Sequence, residues 1–250
     1  MTKVVAMDIN SDLGEGRGED TALLEIVSSA NIACGAHAGD AHTMQRTVGT
    51  AVRNHVSIGA HVSYPDREHF GRRDMQMPLQ ALAESILQQI RALDDIARSA
   101  GSRVRYLKAH GALYNRMVDD AAVADAVIAA IMDFDVSLAL LTLPDSLAMN
   151  RAQARGLHVV GEAFADRAYT SAARLVPRTQ PGAVITDVAA VAQRAVNIAT
   201  IGSVASMESS SVFINAQSLC VHGDTPGAVE LARAVRKGLE QAGIIIRSFS

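Results

Sequence analysis

The chain has 250 residues, 49% of them hydrophobic and 20% charged, and its 23 basic and 26 acidic side chains leave a net charge of −3. That apolar content supports a large core and excludes global disorder, while the near-neutral balance, with no run of Lys and Arg, excludes the electrostatic footprint of a nucleic-acid partner. No apolar run reaches the roughly 18 residues of a membrane span, and 4% aromatics without Trp leave little to stack on bases or sugars.

Residues 4–9 read as a first strand, closed by Asn10-Ser11-Asp12-Leu13-Gly14-Glu15, and residues 20–28 as a helix. A second strand over 30–34 ends in Cys34-Gly35-Ala36-His37-Ala38-Gly39-Asp40, ahead of a helix over 43–54. The third, over 56–60, runs into His61-Val62-Ser63-Tyr64-Pro65-Asp66 and on to Phe70-Gly71-Arg72-Arg73. Residues 79–97 carry the clearest helical pattern, with Leu79, Leu82, Ile86, Ile90, Leu93 and Ala97 at steps of three and four. A fourth strand over 104–108 is followed by Lys108-Ala109-His110-Gly111-Ala112-Leu113-Tyr114-Asn115 and a helix over 119–132. Strands over 137–143 and 157–164 come next, the latter ending in Glu162-Ala163-Phe164-Ala165-Asp166-Arg167, and then a helix over 187–200. A seventh strand over 219–221 opens onto His222-Gly223-Asp224-Thr225-Pro226 and a helix over 226–242, with 244–249 as a candidate eighth strand.

Alternating short apolar strands and amphipathic helices imply a parallel α/β fold. No linker or low-complexity tract divides it, so one domain over 1–250 is expected. An open doubly wound sheet would show the same alternation. The position of the polar clusters, each just past a strand, favours a TIM-like barrel, whose C-terminal strand ends meet at one rim. His37, His61, His110 and His222 would converge there with at least five carboxylates, whereas His42, His55, His69 and His158 fall in helical or loop segments. Asp40 and Asp224 also stand where helix N-caps belong. Cys34 and Cys220, near His37 and His222, are either soft metal ligands or buried small hydrophobes, and Asp with several His is the better divalent-metal set. There is no G-x-S-x-G elbow and no P-loop, and Arg178 beside Pro177 is a candidate anion clamp. Two cysteines and an N-terminus without a cleavage signature point to the cytoplasm.

At these clusters the chain resembles the LamB/YcsF family. The matching runs are N-S-D-L-G-E-G, S-A-N-I-A-C-G-A-H-A-G-D, G-A-H-V-S-Y-P-D with F-G-R-R, K-A-H-G-A-L-Y-N, E-A-F-A-D-R-A-Y, L-V-P-R and C-V-H-G-D-T-P-G-A-V, in the family's order from residue 8 to about 240. The resemblance implies a (β/α) barrel of about seven strands, related to glycoside hydrolase and metal-dependent deacetylase barrels. It implies opening of the 5-oxoproline lactam to L-glutamate, with ATP as co-substrate of a complex that includes 5-oxoprolinase subunits B and C. The implied catalytic set is Asp12, His37, His61, His110, His222 and Asp224, with Asn10, Tyr114, Asp166 and Arg178 contacting substrate. By analogy with the deacetylases, Asp12, His37 and His61 would hold a divalent metal. A rim of mainly His and carboxylates suits water activation better than ATP binding, so lactam activation is expected to fall to the partners.

Some positions depart from the family pattern. Ser11 replaces a usual Cys, Val62 and Ala109 each a usual Pro, and His69 a usual Gly. Ala172-Ala173 stands where the family carries Asp-Gly, in a loop expected to lie off the rim and to tolerate the change. Two other readings stay open: a stand-alone metal-dependent amidohydrolase or deacetylase, and a non-catalytic barrel that binds a metabolite or carbohydrate.

Overall fold

The computed structural model describes residues 6–16 and 19–250. The elements in chain order are β1 (Ala6–Leu13), α1 (Asp20–Leu23), β2 (Ser29–Ala33), α2 (Ala41–Arg53), β3 (Ser57–Val62), α3 (Leu79–Ser99), β4 (Tyr106–Ala109), α4 (Gly111–Asp119) and α5 (Ala121–Phe134). They continue with β5 (Ala139–Thr142), α6 (Leu147–Ala154), β6 (Val159–Phe164), α7 (Val188–Ile201), β7 (Ser203–Ala205), β8 (Ser211–Phe213), β9 (Ser218–Cys220), α8 (Ala228–Gln241) and β10 (Ile245–Ile246). Strands β1 to β6 pair in sequence order, all parallel, and β9 then pairs with both β6 and β1. That last pairing closes the ring. The fold is a seven-stranded (β/α) barrel of the TIM type, and the open doubly wound sheet is excluded.

Outward side chains of the strands, such as Ile9, Ile32, Ile58, Leu107 and Leu140, are fully or almost fully buried under the helices. Helix α3 contributes Leu82, Ile86, Ile90 and Leu93 to this layer, the stripe that its periodicity predicted. The barrel interior is different. Asp8, Asn10 and Asp12 alternate along β1 and bond to residues across the ring, so the inward register of the strand is polar. This explains the main boundary error. The first strand was expected over 4–9, but it runs Ala6–Leu13, because Asn10-Ser11-Asp12 is strand and not loop; Val4 and Val5 lie outside the described residues. His61, Lys108 and Glu162 likewise sit within β3, β4 and β6.

The candidate eighth strand is only the two-residue β10, which pairs with Ala6 and Met7 of β1 and does not enter the ring. The segment beyond it crosses the N-terminal end of the barrel. Ser248 bonds Ser29 at 3.1 Å, Ser250 bonds Ser57 at 2.6 Å, and the Phe249 ring packs on Tyr106 with centroids 5.0 Å apart. Helices α4 and α6 and the antiparallel β7–β8 hairpin were not read from sequence, and the helix expected over 20–28 shrinks to α1. Asp40 is the N-cap of α2, accepting from the Thr43 N–H at 2.7 Å. Asp224 is not a cap; α8 begins after Gly227. Among the described residues no helix is long and apolar enough to cross a membrane.

Candidate active site

A cavity of about 470 Å³ opens at the C-terminal ends of the strands. Asp12, Glu15, His61, Lys108, His110 and His222 lie at its base, and Tyr114 and Phe164 line a wall. Four guanidinium groups, Arg72, the buried Arg167, Arg174 and Arg178, line it together with Asp224.

The deepest feature is an ion cluster inside the barrel. The Lys108 ammonium lies 3.0 Å from Asp12 Oδ1 and 2.7 Å from Glu162 Oε1, and it donates to Asn10 Oδ1 at 3.3 Å and Cys220 Sγ at 3.2 Å. Asn31 donates to Asp12 Oδ1 at 2.8 Å and to Asn10 Oδ1 at 2.7 Å, and Tyr106 donates to Asn31 at 2.8 Å. Charges this deep persist only when paired and hydrogen-bonded. Burial alone would raise the Asp12 carboxyl, but His61 and then Lys108 outweigh it and hold Asp12 well below the usual range. Burial would lower Lys108, but Asp12 first, then its neighbours Cys220 and Glu162, hold it well above. Asp12 is therefore a carboxylate pinned on Oδ1, with Oδ2 directed at His61 Nε2, 3.4 Å away. Neither Lys108 nor Glu162 was nominated from sequence. The available signal was a charged residue inside each apolar run, where parallel strands otherwise carry none.

Next to it, the Glu15 carboxylate meets three imidazoles. Its Oε1 lies 3.2 Å from His37 Nε2, 3.4 Å from His110 Nδ1 and 3.8 Å from His61 Nε2. The rings of His37 and His110 stack at 3.9 Å, and His61 stands edge-on to both. Gly71 makes this packing possible: its φ is +64°, and a Cβ there would lie 2.9 Å from both His37 and His110. Burial, then the neighbouring His61, pushes His37 down to about 2, and burial with the neighbouring His37 and His61 holds His110 well below its ordinary value. Burial and the charges of Asp12 and Asp224 push the Glu15 carboxyl well above its own. Glu15 was not nominated either, being read only as the end of a polar cluster.

His222 forms a third unit. Its Nδ1–H donates to Asp166 at 2.9 and 3.0 Å, its backbone N–H donates to the same carboxylate at 3.3 Å, and its ring stacks on Phe164 at 5.3 Å. Burial opposes, but the imidazole of His222 outweighs it and lowers Asp166. A carboxylate on Nδ1 leaves Nε2 as the working nitrogen, the arrangement of an oriented acid–base histidine. Asp12, Cys220 and His222 lie within 4.8 Å of one another.

The structure thus brings Asp12, His61, His110, His222, Asp224, Tyr114 and Arg178 to the cavity. His37 stands behind His110, Asn10 is fully buried beneath Asp12, and Asp166 is fully buried behind His222. His42, His55, His69 and His158 are exposed. Cys34 is a buried strand-end thiol that donates to the Ile32 carbonyl, and burial pushes it up to about 12.

One expectation about the rim needs correcting. It is not made mainly of His and carboxylates, since four arginines line it. Arg72 pairs with Asp224, Arg178 lies 3.9 Å from the same carboxylate, Arg174 pairs with Asp119 at 2.9 Å, and Arg167 donates to the carbonyls of Ala183 and Val176. Ala172-Ala173 does not itself line the cavity, but its segment folds back on itself through the bridges Arg167↔Val184 and Tyr169↔Leu175, and Arg174 and Leu175, directly after Ala173, do. Ala173 closes the turn at φ +58°, a left-handed conformation that the family's Gly adopts without strain.

The model of the LamB/YcsF family matches residues 7–250. The chain is 50% identical to a 5-oxoprolinase A-type subunit of Agrobacterium fabrum over 252 residues, covering 99% of each chain. It superposes on the crystal structure of the lactam utilization protein from Thermus thermophilus with a TM-score of 0.93 at 38% identity, covering 98% of this chain and all of that one. The family 4 carbohydrate esterase of Streptomyces lividans shares the fold alone, with a TM-score of 0.53 at 12% identity over 98% of this chain and 93% of its own.

Proposed function

The chain belongs to the LamB/YcsF family, and from that premise we propose that it is the lactam-opening component of a 5-oxoprolinase, cleaving 5-oxoproline to L-glutamate in a complex with subunits B and C that spends ATP. The observation that carries this reading is the pairing, in one small cavity lined by arginines, of an Asp166-oriented His222 with a Lys108-pinned Asp12. That is the equipment for hydrolysing an amide in a small carboxylate-bearing substrate. Arg178 is placed to hold the carboxylate.

An unactivated lactam resists water, so ATP is assigned to the partners, which would transfer a phosphoryl group to the amide oxygen. Water then adds to the ring carbon, with its proton drawn towards the free edge of Asp12. The tetrahedral adduct has two exits. Loss of phosphate regenerates the lactam and wastes ATP, whereas loss of nitrogen opens the ring to an acyl phosphate, which a second water converts to glutamate and phosphate. Protonation of the departing nitrogen by His222 Nε2 selects the second exit. General acid–base steps of this kind are worth roughly 10²–10⁴-fold.

Reconstitution tests the proposal. The isolated chain should not release glutamate from 5-oxoproline with or without ATP, and adding subunits B and C should switch on glutamate release coupled to ATP hydrolysis. Asp12→Asn should uncouple the two. Robust ATP-dependent glutamate release by the isolated chain would refute the division of labour. Release without ATP, abolished by a chelator, would favour a stand-alone metal-dependent amidohydrolase, a second reading that the Glu15–histidine cluster supports.

A further inference from the structure

Hydrogen bonds to backbone carbonyls fix the tautomers of two histidines at the base of the cavity. His110 Nε2 lies 2.9 Å from the Phe70 carbonyl, and His61 Nδ1 lies 3.2 Å from the Lys108 carbonyl. A carbonyl only accepts, so each of those nitrogens carries the hydrogen. The opposite nitrogens, His110 Nδ1 and His61 Nε2, then hold bare lone pairs, and they face each other at 3.0 Å. Glu15 Oε1 stands 3.4 and 3.8 Å from the same two atoms and 3.2 Å from His37 Nε2. All four donors lie within 4.8 Å of one another. Without a proton or a cation between them, the lone pairs of His61 and His110 face each other.

We propose that Glu15, His37, His61 and His110 bind one divalent transition ion of the zinc class. The spacing supports this. Bonds of about 2.0–2.1 Å to N and O place the vertices of a tetrahedron roughly 3.3 Å apart, and the four recorded separations of 3.0, 3.2, 3.4 and 3.8 Å bracket that edge; loading the ion requires the stacked His37 and His110 rings to turn so that both lone pairs point at it. Three imidazoles and a carboxylate are a donor set for Zn²⁺ and its neighbours, not for Mg²⁺ or Ca²⁺. The two carbonyls that fix the His61 and His110 rings are the outer-shell supports that metal-bound imidazoles require. A proton shared between His61 Nε2 and His110 Nδ1, with His37 Nε2 bonded to Glu15 Oε1, is the competing account, and metal content separates the two. The set differs from the Asp12–His37–His61 triad expected by analogy with deacetylases: Asp12 is engaged by Lys108 and Asn31, and Glu15 takes the carboxylate position. These four donors would bind the ion whether or not the chain acts on a lactam.

Metal content, a cobalt spectrum and thermal melting test it without any activity assay. Desalted protein loaded with Zn²⁺ should retain one equivalent, and the Co²⁺-loaded protein should show the intense visible bands of a tetrahedral site. Saturating Zn²⁺ at about a hundred times Kd should raise Tm by roughly 5–10 °C. Glu15→Gln should weaken binding by more than the roughly ten- to a hundredfold that loss of an outer-shell partner costs. Asp12→Asn, and His42→Ala on the exposed face of α2, should keep the full equivalent. Retention of metal by Glu15→Gln with its loss from Asp12→Asn would overturn the assignment in favour of the deacetylase-like triad. Less than a tenth of an equivalent on the wild-type chain, with no cobalt bands, would overturn the site altogether and leave the shared proton. Should Glu15→Gln prove unstable, the wild-type stoichiometry and the cobalt spectrum still decide.

Discussion

Replacing Lys108 with Met removes the single cation that two buried carboxylates share. Asp12 lies 3.0 Å and Glu162 2.7 Å from the ammonium, and all three side chains are almost completely excluded from solvent. Breaking a buried pair from one side leaves uncompensated charge and typically costs about 3–5 kcal/mol. In a chain of this size each kcal/mol moves Tm by roughly 2–4 °C, so Lys108→Met should melt roughly 6–20 °C below wild type. Asp12 also loses an anchor on Oδ1, and glutamate release by the reconstituted complex should fall by about a hundredfold or more. Removing the second charge as well, in Lys108→Met/Glu162→Leu, should recover more than half of the lost stability and none of the activity, because an apolar pair of similar volume tolerates burial. Differential scanning calorimetry gives the first comparison and glutamate release the second. A Lys108→Met chain that melts within about 2 °C of wild type would show that the cluster is hydrated or that Lys108 is neutral, and the electrostatic account of Asp12 would fall with it.

Ala173→Gly should stabilise the chain by roughly 0.5–1 kcal/mol, the left-handed strain at φ +58° offset in part by backbone entropy, and a drop in Tm would show that the turn is unstrained. Burial pushes Asp8 from 3.8 up to about 6, so its folded state holds the proton more tightly than the unfolded chain. Its contribution is fully present below about pH 4 and is lost as pH rises to about 6, a change of up to ~3 kcal/mol. Urea denaturation of wild type and Asp8→Asn at about pH 4.5 and 7 should show that slope in wild type alone, and equal slopes would contradict it. Arg178→Ala should raise KM roughly tenfold or more with kcat little changed; a fall in kcat alone would move Arg178 from substrate binding to the chemical step.

The alternation of apolar runs, the 3.6-residue stripe over 79–97 and the polar clusters after the strands were enough to predict a parallel barrel with its chemistry at one rim, because strand and helix periods are local properties of the chain. The family's motifs carried the same information about Asp12, His37, His61, His110 and His222. What the sequence could not yield was the content of the barrel. Asn10-Ser11-Asp12, Lys108 and Glu162 look like strand ends by hydropathy, and only closure of the ring by β9 against β1 turns them inward and brings Lys108 between two carboxylates. Glu15 follows Asp12 by three residues and looks like any loop acid, yet it meets histidines from 22 to 95 residues away once β1, β2, β3 and β4 lie side by side. The arginines of the cavity were hidden for the same reason: Arg72 follows β3 whereas Arg167 and Arg174 follow β6, and they line one cavity only where the fold brings those two loops together. Periodicity is written in neighbours along the chain, whereas the protonation, pairing and ligand sets of this site depend on distances between strands that only closure of the barrel establishes.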